Sequence, residues 1–353
     1  MIEEEPEILW FEDVKLKRLK WLWPNRIPLG KLSLIVGDPE VGKSFLTLYM
    51  AAQVSTGRPW ADVPNPEPPG SVIILTTEDD IADTVGVRLK AAGADMSKIC
   101  TIKSIKSGEK RRGLHNLVKD FDILLKTVRD IYRSDRPNVR LIIIDPLPGY
   151  MEGKSENKNA EVREYLNPLA DLATQASIAI VGISHLNKNQ MTQTAAYRVL
   201  GSIGFTATVR AVWLVHKDPE DETRRLFVPS KGNLSRKPTG LSYTFINTPV
   251  KTDEGMVDMA YCAFSSDAIH LTAEQLLAPP TEKKSPKKDS ASDWLQSYLK
   301  DGPKPATEIL NVGSQMGFSR RTLERLKSNL GIQAIKTYNQ EKGTSYWEWS
   351  LLT

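Results

Sequence analysis

The sequence has little cysteine and no long apolar run. Its two cysteines, Cys100 and Cys262, lie far apart without the spacing of metal ligands, so we expect ordinary thiols in the core. No stretch approaches the ~20 apolar residues that cross a bilayer. The N-terminal stretch MIEEEPEILWFEDVK is acidic and lacks the apolar segment of a signal peptide. These features argue against a membrane or exported protein, and we expect a cytoplasmic one.

The chain also has little net charge, +4 from 47 Lys and Arg against 43 Asp and Glu. This excess lies at the C-terminal end, where residues 281–353 contain 12 basic and 8 acidic side chains. Such an asymmetry suggests that the C-terminal region faces nucleic acid. Hydrophobic residues make up 40% and charged residues 25%, which is usual for a globular protein, and 353 residues favour two domains.

The clearest motif is GDPEVGKS, which fits the P-loop pattern G-x-x-x-x-G-K-[ST]. Glycines let the backbone wrap around a phosphate, and backbone N–H groups and the following helix bind its oxygens. Lys43 can reach the β- and γ-phosphates, and the Ser44 hydroxyl can bind Mg²⁺. A chance match on a turn is disfavoured, because the pattern predicts a strand over residues 31–36 and a helix over 43–56. The predicted nucleotide-binding residues are Gly37, Asp38, Pro39, Glu40, Val41, Gly42, Lys43, Ser44 and Phe45.

Apolar strands alternate with helical segments, which predicts an α/β fold with a mainly parallel sheet and helices on both faces. Later strands follow one another directly and predict an antiparallel extension of that sheet. The predicted strands are 31–36, 71–77, 98–105, 139–144 and 178–183, followed by 211–216, 224–229, 241–246 and 259–264. The predicted helices are 43–56, 81–92, 115–134 and 159–175, and a charged loop covers 106–113.

Three polar residues follow the carboxyl ends of apolar strands, where ligands bind in such sheets. Glu78 can act as the base that deprotonates an attacking water, or it can be an acid that begins a helix. Asp145 can hold Mg²⁺ through water, or it can be a turn residue before proline. His185 can sense the γ-phosphate, or it can be structural. We expect these residues to converge with Gly37 on one site.

The segment PPTEKKSPKKDS, residues 279–290, predicts a linker between a domain of residues 1–278 and a second domain of residues 291–353. The second domain has the pattern of three helices and a hairpin, as in a winged helix-turn-helix. Its third helix carries four cations that could enter a DNA major groove: Arg320, Arg321, Arg325 and Lys327. The alternative is a winged helix that contacts protein.

The chain resembles the RecA-like ATPases, and most closely the RepA-type hexameric helicases of plasmids and phages. The resemblance covers about residues 28–246, and it rests on an ordered set of segments. These are GDPEVGKS, TTEDD, IIIDP, VGISHLNK, LGSIGFTATVRAVW and FVPSKGNLS. One departure is Ser184–His185, where this family often has a pair of histidines. The C-terminal domain is another, since plasmid helicases can be single-domain.

The resemblance implies roles for several residues of this sequence. Glu78 becomes the catalytic base, Asp145 the Walker-B acid and His185 the sensor. Arg210 matches an arginine finger that reaches the γ-phosphate of a neighbouring subunit, and Lys231 matches a basic residue near it. DNA-contacting loops correspond to residues 186–204, with Lys188 and Arg198 as candidates.

The sequence thus predicts an ATPase that uses Mg²⁺ and ATP, assembles as a homo-oligomeric, hexameric ring and acts as a replicative DNA helicase. Single-stranded DNA would bind the loop after His185, and duplex DNA the C-terminal domain. Two alternatives stay open: an ATP-switched DNA-binding protein or helicase loader, and a kinase or small-molecule phosphotransferase. No recognisable substrate-binding motif supports the second.

Overall fold

The computed structural model describes residues 8–151, 159–186, 208–232, 234–235, 239–278, 288–316, 318, 320–339 and 344–351. The chain divides into two compact units, Met1–Leu277 and Ala278–Thr353. This division falls beside the predicted boundary at residue 278, and residues 279–287 of the predicted linker lie outside the described part. The exact domain limits stay predictions.

The first unit is built on a nine-stranded sheet. Its strands are β3 (Leu32–Gly37), β4 (Ser71–Thr76), β5 (Ile99–Cys100), β8 (Val139–Asp145), β9 (Ala179–His185), β10 (Ala211–Lys217), β11 (Arg225–Gly232), β12 (Leu241–Thr252) and β13 (Gly255–Phe264). Their order in the sheet is β13-β12-β11-β10-β3-β9-β8-β4-β5. Strands from β10 to β5 in that order run parallel, and β10 to β13 pair antiparallel, as the sequence predicts. Two short hairpins lie outside it: β1 (Trp21–Trp23) with β2 (Ile27–Pro28), and β6 (Ile105–Ser107) with β7 (Lys110–Arg112).

Helices connect the parallel strands. They are α1 (Lys43–Thr56), α2 (Gly86–Ala91) after a π-helical turn (Ile81–Val85), α3 (Phe121–Tyr132) and α4 (Asn159–Ala176), with α5 (Ala273–Leu277) after the last strand. A mostly parallel sheet with helices between its strands fits a RecA-like core. Because such sheets bind ligands at the carboxyl ends of their strands, the described residues at the ends of β3, β4, β8 and β9 form the candidate site.

The central parallel strands β3, β4, β8 and β9 are buried on both faces, as parallel strands covered by helices must be. One apolar cluster contains residues of α3 and α4, and the other contains residues of α1. Trp23 lies in the second cluster, stacked on Trp60 with ring centroids 4.7 Å apart. This tryptophan therefore packs the N-terminal segment on the core, whereas Trp10 is exposed.

Local structure differs from the sequence prediction between residues 98 and 134. The predicted helix 115–134 begins only at Phe121, because the Asn116 side chain accepts bonds from the amides of Val118 and Lys119 and forms a turn there. The predicted strand 98–105 is reduced to β5, at the sheet edge. Cys100 on that edge strand is exposed, so the prediction of two buried thiols was wrong for Cys100 and confirmed for Cys262.

The second unit contains three helices and a small antiparallel sheet. The elements are α6 (Lys288–Leu299), β14 (Lys304–Pro305), α7 (Ala306–Gln315), α8 (Arg320–Asn329), β15 (Gln333–Asn339) and β16 (Thr344–Ser350), with the sheet order β14-β16-β15. Its core includes Leu295, Ile309, Leu323 and Trp349. The helices and the hairpin follow the predicted order, while β14 was not predicted, because two residues carry no periodic pattern.

The described helices include none that combines the length and the apolar character required to span a membrane.

Candidate functional site

The carboxyl ends of four neighbouring strands meet at one edge of the sheet. Gly37 at the end of β3 is the register partner of His185 at the end of β9. Asp145 at the end of β8 is the partner of Thr76 at the end of β4, and Glu78 follows two residues later. The structure therefore brings Gly37, Glu78, Asp145 and His185 to the same edge, where ligands bind in open α/β sheets.

The P-loop follows β3 and has an unusual backbone conformation. Gly42 has φ +93° and Glu40 has φ +62°, so the loop turns twice through the left-handed region. At Gly37 a Cβ would collide with the carbonyl oxygen of Val215 on the neighbouring β10. The close approach of loop and sheet thus requires glycine at Gly37, and α1 starts directly after Gly42.

Lys43 lies inside the loop. Its Nζ donates hydrogen bonds to the carbonyl oxygens of Gly37 at 3.0 Å and Asp38 at 2.7 Å, and it lies 3.4 Å from Nδ1 of His185. Burial lowers the pKa of the Lys43 ammonium, and the negative charges of Asp145, Asp38 and Glu78 oppose that effect. The ammonium is therefore held where loop, acids and histidine meet, in the position expected for a phosphate-binding lysine.

Asp145 is the most perturbed acid of this edge. Its pKa is raised to about 6, mainly by burial and also by the negative charges of Glu78 and Asp79, although the Ser44 hydroxyl that donates to it and the Lys43 charge act in the opposite direction. Among the described residues, no three His, Cys, Asp or Glu side chains cluster closely enough to hold a metal alone. A hydroxyl beside a carboxylate nevertheless suits Mg²⁺, which keeps waters and phosphate oxygens as its other ligands. Ser44 and Asp145 therefore fit the predicted ion.

Glu78 is exposed in the turn after β4. The next residue, Asp79, forms an ion pair of 2.8 Å with Arg88. The guanidinium of Arg88 also lies over the ring of Phe45, 4.5 Å from its centroid. Arg88 thus connects the acidic turn to the first turn of α1. Arg88 was not among the predicted site residues, because no sequence pattern links it to both Asp79 and Phe45.

An aromatic cluster packs against the back of the P-loop. The Tyr243 hydroxyl donates to the carbonyl oxygen of Gly42 at 3.3 Å. Phe245 contacts Phe45 with ring centroids 5.0 Å apart, and Arg225 lies over Phe245 at 5.5 Å. These residues come from β11 and β12, about 200 residues after the loop, so no local sequence pattern links them to it. They fix the P-loop against the antiparallel extension of the sheet.

Arg210 and Lys231 lie at the opposite end of the sheet from the P-loop. The amide of Arg210 donates to the carbonyl oxygen of Leu32 at 3.1 Å, at the start of β3. The six residues of β3 separate this point from Gly37, a distance of about 17 Å at ~3.3 Å per residue. Lys231 Nζ donates to the Val209 carbonyl at 3.3 Å. Burial, and then the Arg210 charge, lowers the pKa of Lys231, so the two cations are neighbours.

The predicted DNA contacts are only partly described. Lys188 and Arg198 lie in residues 187–207, outside the described part of the chain, as does the Arg321 side chain. On α8, Arg325 is exposed. Arg320 lies 3.9 Å from Glu324, and Lys327 lies 3.9 Å from the same carboxylate. Two of the four predicted cations thus have an acidic neighbour on their own helix.

A glycine-containing loop around a buried lysine, on a mostly parallel sheet with acids at the same edge, defines a P-loop nucleotide-binding protein. A family model described as AAA domain matches residues 3–191, more than half of the chain. The chain therefore belongs to this AAA domain family, and membership indicates nucleotide binding, usually with Mg²⁺, and a nucleotide-dependent ATPase. No curated protein matches the sequence.

Proposed function

We propose that this protein is a ring-forming, Mg²⁺-dependent ATPase that acts on DNA as a replicative helicase of the plasmid and phage type. A bound Mg²⁺ would neutralise charge on the β- and γ-phosphate oxygens, and Ser44 and Asp145 are the residues that would hold it. The nucleotide would lie across the predicted binding residues, Gly37–Phe45.

The chemistry is assigned to two side chains of the site. Lys43 contacts the phosphates, since its ammonium already lies among the loop carbonyls. Glu78 orients and deprotonates the attacking water. Its charge acts on both Lys43 and Asp145, which supports a position close to both, and its exposure leaves it accessible to water.

The observation that carries the proposal is the distance of Arg210 from its own P-loop. β3 separates them by about 17 Å, which an arginine side chain does not span. Arg210 and Lys231 form a pair of adjacent cations at this far edge, and such a pair suits a phosphate supplied by another subunit. A guanidinium offers planar, bidentate contacts to phosphate oxygens and stabilises the transition state when it is supplied in trans. Hydrolysis would then depend on assembly into a ring.

His185 supports a coupling between nucleotide and DNA. Its ring lies 3.4 Å from the Lys43 ammonium, and the chain continues from it into residues 187–207. We assign those residues, including Lys188 and Arg198, to single-stranded DNA in the ring. Loss of the γ-phosphate would change the surroundings of Lys43, and therefore of His185.

The second unit is assigned to duplex DNA as a winged helix-turn-helix, with α8 as the helix in the major groove. The order of three helices followed by a hairpin supports this assignment, and so does the basic excess of residues 281–353. Arg325 is its best candidate contact, because Lys327 and Arg320 have Glu324 beside them.

The test measures ATPase rate, oligomer size and strand displacement on a forked duplex, with Lys43→Ala as the matched inactive control. The proposal predicts that single-stranded DNA stimulates ATP hydrolysis and that forked duplex is unwound. ATP-dependent DNA binding without strand displacement would instead indicate the switch or loader. An ATPase rate that DNA does not change would favour the alternative of a phosphotransferase.

A further inference from the structure

The β15–β16 hairpin has two different faces. Register pairs share a face, so Ile335, Thr337, Tyr346 and Glu348 lie on one side of the hairpin. There the Glu348 carboxylate accepts hydrogen bonds from the Thr337 hydroxyl at 2.9 Å and the Tyr346 hydroxyl at 3.2 Å. Thr337, Tyr346 and Glu348 are therefore paired with one another on this side.

The other face carries a row of aromatic side chains. Trp349 is 2% exposed and belongs to the core of the unit. Two residues away on the same face, Trp347 is 54% exposed, and Tyr338, diagonally across from it, is 61% exposed. Lys336 is the direct register partner of Trp347. The row thus extends from the core into solvent, and its outer rings, Trp347 and Tyr338, are not part of the core of this unit.

This row adjoins the basic helix. Lys327 of α8 lies over the Trp349 ring, 5.2 Å from its centroid, so the aromatic face begins where α8 touches the sheet. Lys336 is on the same face, opposite Trp347 and two residues before Tyr338. Among the described residues of the hairpin, the acid, Glu348, is on the opposite face. The exposed aromatic face is therefore positively charged and continuous with the helix assigned to duplex DNA.

We propose that the hairpin face formed by Lys336, Tyr338 and Trp347, here called the aromatic face, binds unpaired nucleic-acid bases. Trp347 and Tyr338 stack on base faces, and Lys336 contacts the backbone phosphate. Aromatic side chains beside cations are the usual platform for single strands, because every base has a π-face. Inside a duplex those faces are covered by neighbouring base pairs, so the aromatic face would select a single-stranded extension or a melted junction next to the duplex bound by α8. This inference rests on the proposed binding of DNA by the second unit.

The test uses the full-length protein and two DNAs of the same duplex sequence, one blunt and one with a single-stranded extension that contains 5-iodouracil. Photo-crosslinking followed by peptide mapping identifies the side chain in contact with the unpaired base, independently of any other single-strand site. We expect crosslinks at Trp347 or Tyr338. We expect Trp347→Ala to weaken the preference for extended over blunt DNA about tenfold, since one stacked base contributes roughly 1–3 kcal/mol.

Ile335→Ala is the matched control, because Ile335 is 47% exposed on the opposite face of the same hairpin. It should keep both the crosslink and the preference. Trp347→Phe retains a ring and should keep most of the preference, which separates stacking from a folding defect. Unchanged blunt-duplex binding by Trp347→Ala would show that the unit is still folded.

Three results would overturn the inference. Crosslinks that map away from the hairpin, with blunt and extended DNA bound equally, would contradict base binding by the aromatic face. The assignment of α8 to duplex DNA would not be affected. Self-association that is lost in Trp347→Ala, without an effect on DNA, would make the face a protein contact. If neither DNA bound the second unit in any variant, the proposed function of that unit would fail first.

Discussion

Asp145→Asn tests the electrostatics of the site in the nucleotide-free protein. Burial raises the pKa of Asp145 from 3.8 to about 6, so the folded protein holds a proton that the unfolded chain releases. A raised folded-state pKa contributes stability that is complete below the unfolded value and is lost as pH rises through the folded value. This contribution should therefore be present below about pH 4 and lost by about pH 7.

The magnitude follows from the shift. About two pKa units at ~1.4 kcal/mol each give roughly 3 kcal/mol of free energy of unfolding. The amide that replaces the Asp145 carboxyl in the variant cannot ionise, but its oxygen can still accept the Ser44 hydroxyl. The free energy of unfolding of wild type should therefore fall by about 2–3 kcal/mol relative to that of the variant as the pH rises from about 4 to about 8.

The assay is urea unfolding of both proteins across that pH range, with Asp122→Asn, an exposed acid on α3, as the control for net charge. A stability difference between wild type and Asp145→Asn that stays constant with pH would refute the buried, destabilised carboxylate. Added Mg²⁺ and nucleotide should stabilise wild type and so reduce its difference in stability from Asp145→Asn at high pH, because a cation then pairs with the Asp145 carboxylate.

Three other changes test the remaining parts of the account. Gly37→Ala drives a Cβ into the Val215 carbonyl, so it should cost roughly 1–3 kcal/mol of stability and abolish nucleotide binding, whereas Gly232→Ala, which meets no atom within 4 Å, should do neither. Glu78→Gln should bind ATP and lower hydrolysis by ~10² or more, and a loss no larger than that of Asp83→Asn would reduce Glu78 to a helix-start acid. A chain ending near Pro280 should remain an ATPase and lose duplex binding, and unchanged duplex affinity would point to a protein-binding tail.

Much of the nucleotide site could be predicted from the sequence, because its parts are local. A P-loop needs glycines and a lysine at fixed spacing, and apolar runs of β-branched residues indicate which strands end at Glu78, Asp145 and His185. The parallel arrangement then brings those ends together without further information. For the same reason the limits of α1 agree with the predicted helix 43–56.

The parts that could not be predicted depend on contacts distant in sequence or on local side-chain bonds. Tyr243 and Phe245 pack against the P-loop from β12, and no periodicity indicates which loop a strand will meet. The Asn116 turn replaces the first turn of a predicted helix, because a side-chain oxygen competes for its amides. Arg88 was not predicted because its two partners lie in different elements: Asp79 is in the turn after β4, and Phe45 is in the first turn of α1.

The most direct test of the central claim is a mixing experiment between Arg210→Ala and Lys43→Ala subunits. Each variant alone should bind DNA and hardly hydrolyse ATP, since a finger supplied across an interface can raise turnover by roughly 10³ or more. Arg210→Ala keeps a sound P-loop and Lys43→Ala keeps a sound finger, so mixed assemblies should recover part of the wild-type rate. If the subunits demonstrably co-assemble and no ratio recovers activity, hydrolysis is not completed by Arg210 of a neighbouring subunit.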